Sequence, residues 1–490
     1  MGTLAQAFRG PRITGGPLAP ELLRFGLPLA LGMALQTTFN LVDAYILAQL
    51  PPAEVGAIMG ALGICDQIAA LGSILVYGLS TATTSMIALL HGAKDDEGVT
   101  RTAWQSLIFI AALSLLFAAA GLGLAGPIVR DVIGAKGHVA EVATSYLRVI
   151  VSGGFSLFFL LQLAAIQRAL GSSKTPVALL VGGNLLNLAL CVLFVFGDGE
   201  APASLAFVAP VARALHVPRM GMVGAAWATV VARSVVLLPN LWIVMKRFCV
   251  VPRAGARAPD LAVLRKLWGV AWPSSAQLVL RVAAMLFVNS LVARAFTTEH
   301  DQTATTALGL VFRLDTMALF VAIGWGNAAQ TFVGQNAGAG LVDRARRSGW
   351  LAVVFASVTS LLLAVVAVAR GSDILRIFDD DAAPLALATD YLLAVAPSYL
   401  ALGTGIVLGF AMAGAGATRA ALRIDAAVIL GFQVPVSLLA VLVFGASPVG
   451  LFRCVAATSW VSALGYVLVY ARAHWLSAAK GAVAPAERLR

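Results

Sequence analysis

The sequence predicts an all-α membrane protein: twelve transmembrane helices in two six-helix lobes, related by a pseudo-twofold axis along the membrane normal. Three observations carry this. The 490-residue chain is 60% hydrophobic and only 12% charged, about half the charged fraction of a soluble domain. Apolar runs of about 20 residues or more recur from end to end, each long enough to cross a bilayer as a helix. Finally, the chain is written twice. Pro28 matches Pro273, Tyr146 matches Tyr391 and Gly171 matches Gly416, all 245 positions apart. Gly92 matches Gly338 and Trp104 matches Trp350 at 246. A nearly constant offset over that span marks two structural repeats, a common plan for transporters.

Taken in order, the predicted helices cover 22–49, 54–91, 99–126, 138–168, 175–197, 221–246, 262–296, 304–336, 345–369, 384–414, 419–444 and 448–475. The charged Pro-, Arg- and Ala-rich stretch VVPRAGARAPDL at 250–261 divides an N-terminal lobe, 1–249, from a C-terminal lobe, 262–490. Six helices return the chain to its starting side, so the two lobes share one membrane orientation and enclose a cleft at the pseudo-twofold axis. The second helix of each half runs to about 35 residues and must tilt, bend or project. Pro28 and Pro273 each remove a backbone hydrogen bond from the first helix of their half, and Pro28 is the expected hinge. One long loop, Asp198 to Arg219, carries the apolar stretch ASLAFVAPVARALH, read as a membrane-surface segment or a plain loop.

The formal charge of +11 would fit a nucleic-acid binder only if it were gathered on a basic domain, and none is present. With the helices above, 22 of the 34 Lys and Arg residues fall on one side and six on the other. The positive-inside rule then places both termini in the cytoplasm of a cell (inner) membrane protein. No cleavable signal precedes the first helix, and no myristoylation signal is present. The four cysteines (Cys65, Cys191, Cys249, Cys454) show no CxxC spacing and read as small core residues. Neither HExxH, GxSxG nor Walker A occurs, and the five histidines fall in loops or at helix ends. An enzyme is therefore not expected, nor is a bound cofactor or metal; the expected partners are a small molecule and the lipid bilayer, with the chain acting as a monomer.

Charges inside a bilayer are costly and need a reason. Asp43, in NLVDAYILAQL, lies fifteen residues after Pro28 in the outer half of the first helix. Desolvation favours the protonated form of a carboxyl group, which suits a residue that must bind and release a proton; the alternative is a static Asp hydrogen-bonded between helices. Asp66 in the second helix and Asp315 in the eighth sit at similar depth, where helices of a two-lobe transporter line the cleft. They are read as attracting a cationic substrate, with an Asp315–Arg281 structural ion pair as the alternative. Arg281 is in turn a candidate for greeting an anionic or zwitterionic one. Gln162 and Gln277 are read as interhelical packing residues, and Asp425 as structural, within reach of the cytoplasmic interface. Phe155, Phe158, Phe159 and Phe320 offer either aromatic walls for a flat cation or faces to lipid.

Several segments together resemble the multidrug and toxic compound extrusion (MATE) family over nearly the whole chain: the proline and VD pair of the first helix, STATTSMIALLHGA, RALGSSKTP at 168–176, GGNLLNLALCVLFVFG at 182–197, VGAAWAT at 223–229, FVGQNAGAG at 332–340 and AGAGATR at 413–419. The resemblance implies secondary active efflux by rocking of two lobes. It also implies an N-lobe coupling pocket on helices one, five and six, which carries over to Asp43, Asn187, the Cys191 position and Thr229. Many relatives have Asp where this chain has Cys191. A thiol is a poor ligand for a hard cation, so protons are favoured over sodium as the coupling ion. The C-lobe acids of some relatives fall on Arg281 and Leu402, which argues against a cation site there. With no ATP site, transport must draw on an ion gradient. The resemblance thus points to an exporter of organic, mainly cationic compounds. The alternative is a flippase or exporter of lipid-linked oligosaccharide or anionic substrates, kept open by Arg281, Arg313 and Arg233.

Overall fold

Twelve helices long and apolar enough to span a bilayer make up the computed structural model. The structure describes residues 13–479 apart from 200, 203–204, 206–207, 249, 252–256, 299–300 and 377–380; Cys249 and His300 lie outside the described residues, as do several side chains within helices, including those of Asp66 and Arg313. The first lobe comprises α1 (Leu18–Ala48), α2 (Pro52–Gly92), α3 (Asp96–Pro127), α4 (Gly137–Ser152 and Gly154–Ala169), α5 (Lys174–Phe196) and α6 (Gly221–Lys246). The second comprises α7 (Leu261–Phe296), α8 (Thr303–Gly338), α9 (Val342–Arg376), α10 (Ala382–Val395 and Tyr399–Gly414), α11 (Thr418–Val443) and α12 (Pro448–Ala471). No strand occurs among the described residues.

The repeat seen in the sequence reappears in the backbone. The interruption of α4 at Gly153 matches the 3-10 turn Ala396–Ser398 inside α10. The turns after these helices each need a left-handed residue, met by Gly171 (φ 88°) and Gly416 (φ 81°), a conformation glycine adopts without steric cost. Two other spans depart from regular α geometry near a proline. A π turn, Ile128–Val132, follows Pro127 at the end of α3, and π turns Ile429–Gln433 and Leu439–Val443 flank the segment of α11 that contains Pro435. Proline supplies no N–H, and a widened turn lets the neighbouring carbonyls find other donors. The outer loop forms a seven-residue helix, Val208–Ala214, whose Val208 and Ala212 are buried. Arg219 ion-pairs with Glu54 at 2.9 Å and so ties this loop to the start of α2.

Between the lobes the helices meet through small residues, as expected where lipid competes with apolar side chains and only close packing pays. A Cβ on Gly92 would overlap the Gln335 carbonyl, and one on Gly338 would overlap the Leu89 carbonyl. These are repeat-equivalent positions, so α2 and α8 cross backbone to backbone in a pseudo-symmetric pair. Gln330 Nε2 donates to Thr81 O (2.8 Å), Gln335 Nε2 to Ala169 O (2.7 Å) and Ser85 Oγ to Gly414 O (3.2 Å). On α1, Gly26 lies against Trp325 and Ala30 against Gly324, both on α8. These cross-lobe hydrogen bonds lie on the linker side.

The linker is itself fastened to α3. Trp104 Nε1 donates to Arg257 O at 3.0 Å and Gln105 Nε2 to Ala258 O at 2.7 Å, and Arg101 ion-pairs with Asp260. Asp260 also caps α7, accepting from the amides of Ala262 and Val263.

Candidate functional site

Three helices bring polar side chains together inside the first lobe. Asp43 stands five residues before the end of α1. Asn187 and Cys191 lie one turn apart on α5, and Thr229 and Arg233 one turn apart on α6, so each pair shares a face. The Asn187 amide donates to both oxygens of Asp43, at 3.0 and 2.9 Å, while its own Oδ1 is buried without a partner. Cys191 is fully buried. Thr229 Oγ1 donates to Ala225 O on its own helix at 2.9 Å, so it approaches the site only as an acceptor. Two turns inward on α1 and one on α5, Asn184 Nδ2 donates to Gln36 Oε1 at 3.3 Å and repeats the α1–α5 link.

Arg233 completes this site and is the residue that sequence reasoning placed only among general cleft cations. Its guanidinium lies within electrostatic reach of Asp43, Tyr77 and Tyr146 but makes no hydrogen bond or ion pair among the described residues. The i, i+4 spacing from Thr229 was the available signal. The arrangement offers one carboxylate held by a neutral amide, an idle amide oxygen and a cation that acts on the carboxylate across space without bonding to it.

The second lobe is built differently. Asp425 on α11 is 2% exposed and accepts from Arg281 Nε at 2.7 Å, Gln277 Nε2 at 2.8 Å and Tyr466 OH at 2.8 Å. Gln277 also donates to Tyr466 OH. Arg281 is therefore neutralised within its lobe, which corrects its expected place as a free cleft cation, and Asp425 sits inside the lobe rather than at the cytoplasmic interface. Asp315 does not pair with Arg281. It accepts from Tyr391 and, at 2.6 Å, from Tyr399, both on α10 and both buried, so it faces the interior of its own lobe and not an open cleft. The side chain of Asp66 lies outside the described residues. Gln162 accepts from Ser80 and donates to Thr83 on α2 at 2.6 Å, as a packing residue does. Of the four phenylalanines, Phe158 is core, edge-on to Phe117, and Phe155 is exposed. The helix α1 runs unbroken through Pro28.

The sequence model of the MatE family matches this chain twice, over residues 28–193 and 273–439, so both matches begin at the repeat-equivalent prolines. The chain belongs to the MatE family. Members of this family are transporters and not enzymes. Among its relatives, a "Probable multidrug resistance protein YpnP" of Bacillus subtilis is 26% identical over 407 residues, 82% of this chain and 84% of that protein. An "FAD transporter" of Shewanella oneidensis is 24% identical over 403 residues, 82% of this chain and 83% of its own length. The fold matches a solved outward-facing multidrug resistance MATE transporter of the MOP superfamily with a TM-score of 0.84 at 23% identity, covering 96% of this chain and 99% of that one. The MatE fold thus places Asp43, Asn187, Cys191, Thr229 and Arg233 within one lobe of a two-lobe transporter.

Proposed function

We propose that this MatE protein is a secondary active efflux transporter that exports organic compounds in exchange for protons, by alternating access of the lobes 1–249 and 262–490 about the linker 250–261. The observation that carries the proposal is the Asp43 carboxylate inside a membrane lobe, whose hydrogen bonds among the described residues come from the neutral amide of Asn187, with the Arg233 guanidinium in electrostatic reach but not bonded to it. A proton on Asp43 would cancel its charge and weaken its link to α5. The same helix, α1, is clasped by α8 of the other lobe around Pro28, through Gly26 and Ala30, so a bend at Pro28 would carry that change to the lobe interface. With both termini in the cytoplasm of the inner membrane, contacts gathered on the linker side support an outward-facing arrangement.

Protons are preferred to sodium on the donor set. A hard cation wants several oxygen ligands, yet Cys191 offers sulfur, and Asp43 supplies the only carboxylate at the site among the described residues. Names among the relatives support multidrug export, and the protein is taken to work as a monomer.

A second reading, export of anionic compounds, is favoured by one feature. Arg233 is a cation beside the site that bonds to no acid among the described residues, whereas Arg281 is spent on Asp425. The relative named as an FAD transporter is in keeping with it.

The test is dye efflux from proteoliposomes under an imposed pH gradient and, separately, a sodium gradient. Wild-type protein is expected to export ethidium under the pH gradient, and Asp43→Asn to fall to the rate of empty liposomes. Normal transport by Asp43→Asn would refute the coupling role. Export of an anionic dye but not ethidium, lost in Arg233→Gln, would establish the second reading.

A further inference from the structure

Away from the transport site, a groove of about 450 Å³ opens between the end of α3 and the first half of α4, on the side of the membrane opposite the linker. It is lined by Arg130, Asp131, Glu141, Thr144, Ser145 and Arg148, among others. A single chain crossing a bilayer rarely shows so many polar groups on an exposed flank. Beside them the flank is apolar: Leu122 is 66% exposed, Leu124 53% and Val132 79%. Such a face, on helices long enough to span, is covered by acyl chains.

Three details mark the groove as built rather than incidental. Arg148 stands eleven residues into α4, roughly 16 Å below its outer end, yet its side chain is exposed. An arginine at that depth on a lipid-facing flank must reach outward along the helix to a polar partner. No such partner comes from the protein: among the described residues, neither the Arg130 nor the Arg148 guanidinium makes a hydrogen bond or ion pair, although acids line the same groove. The third is Thr144. It is 6% exposed, and its hydroxyl lacks even the usual bond to its own helix backbone. A helical threonine ordinarily satisfies its hydroxyl on the preceding turn.

We propose that this groove holds the headgroup of a zwitterionic phospholipid bearing a primary ammonium, as in phosphatidylethanolamine. The phosphate lies between Arg130 and Arg148, and the ammonium lies on Asp131. Charge complementarity selects this occupant. Two arginines alone would call for an anionic lipid, but Asp131 and Glu141 bring the groove to formal neutrality, and only a zwitterion satisfies both signs. A primary ammonium donates hydrogen bonds to a carboxylate, which the quaternary ammonium of a choline lipid does not. Glu141 has His138 within 3.8 Å, whereas Asp131 makes no ion pair among the described residues, so Asp131 is the acid free to receive the ammonium. A lipid held there would brace the π-turned end of α3 against α4.

The full-length protein in mild detergent, mixed with equal amounts of phosphatidylethanolamine, phosphatidylglycerol and phosphatidylcholine, is read by native mass spectrometry. Phosphatidylethanolamine adducts are expected to dominate. Arg130→Gln/Arg148→Gln should reduce them at least fivefold, and Asp131→Asn should bring them down to the phosphatidylcholine level. Adducts unchanged in the double variant, or phosphatidylglycerol bound in preference, would overturn the proposal. Displacement of the lipid by millimolar inorganic phosphate would overturn it too, since the groove would then be a site for a free anion. If the double variant unfolds, Asp131→Asn and the three-lipid ranking in the wild-type protein decide the matter, because Asp131 is exposed and packs against nothing in the core.

Discussion

Each lobe fastens its first helix to its fifth with a polar pair, and the two pairs have the same sequence separation. Asp43 and Asn187 are 144 residues apart, as are Arg281 and Asp425. A second link, 148 residues apart, accompanies each: Gln36 with Asn184 and Gln277 with Asp425. The C-lobe pair stands seven residues, two helical turns, short of strict repeat equivalence with the N-lobe pair. Its polarity is also reversed, with the acid on the fifth helix instead of the first. In the C-lobe the acid is bonded to a guanidinium, a phenol and an amide; in the N-lobe it is bonded to one amide, and the Arg233 guanidinium stands in electrostatic reach without bonding to it. A charge neutralised inside its own lobe is scaffold, whereas a charge held by a neutral partner remains free to change. The same helix pairing thus carries a brace in one lobe and a candidate switch in the other.

The largest expected effect that would break this comparison is on the C-lobe pair. Asp425→Asn alone leaves a half-buried Arg281 without its acid, which should cost about 2–3 kcal/mol, below the roughly 3–5 kcal/mol of a fully buried pair, read as a fall in the thermal unfolding midpoint in detergent. Replacing both partners with apolar residues, Arg281→Met with Asp425→Leu, should recover most of that stability and keep ion-driven transport. If the rescued double variant folds but has lost coupling, the C-lobe pair is part of the ion pathway and the contrast between the lobes fails.

The next effect concerns the contact between the lobes. Gly92→Val and Gly338→Val each push a side chain into the carbonyl of the opposing helix. Both should hold the linker side ajar, raising the labelling of a cysteine introduced at Thr81 several-fold and slowing export. Because the two glycines are repeat equivalents, similar effects are expected from both; a defect in only one would show that the crossing is not symmetric in function.

A smaller effect belongs to the linker. Partial burial alone would raise the Asp260 carboxyl, but the Val263 amide, the Arg101 guanidinium and the Ala262 amide outweigh it and hold the group below the usual carboxylate value. A depressed acid contributes stability that is complete above its unfolded value, near 4, and is lost as pH falls through its lower folded value. The linker clasp should therefore be insensitive to pH between 5 and 8 and loosen only under strong acid. Asp260→Asn keeps much of the cap and loses mainly the exposed ion pair, about 0.5 kcal/mol, measurable as a small shift in unfolding midpoint at pH 7 that vanishes in high salt.

Most of the fold was legible because helix length and apolar content are set by the bilayer. The sixth helix was read at 221–246 and found at Gly221–Lys246. What composition did not reveal was the change of hydrogen-bond register within a helix. The break at Gly153 and the π turns of α3 and α11 alter neither length nor hydropathy, and Pro127 and Pro435 hint at a disturbance without saying which kind. At the site, Asp43 and Asn187 were brought together as the family resemblance implied. The partners of Asp315 and Asp425 were not, because a bond between helices 41 or more residues apart in the chain leaves no periodic trace. Tyr391 was noticed only as a repeat match of Tyr146, though its buried hydroxyl requires a partner and was a pointer to Asp315.

The turn after α2 places Lys94 at φ 60°, where the equivalent turn after α8 places Gly340 at φ 75°. An L-residue in that conformation bears a strain of about 1–2 kcal/mol that glycine escapes. The two copies thus differ in cost at one turn: one carries the relaxed residue and the other a strained one. Transplanting residues between copies at equivalent turns, beginning with Lys94→Gly, offers a route to a sturdier protein that needs no second sequence for guidance.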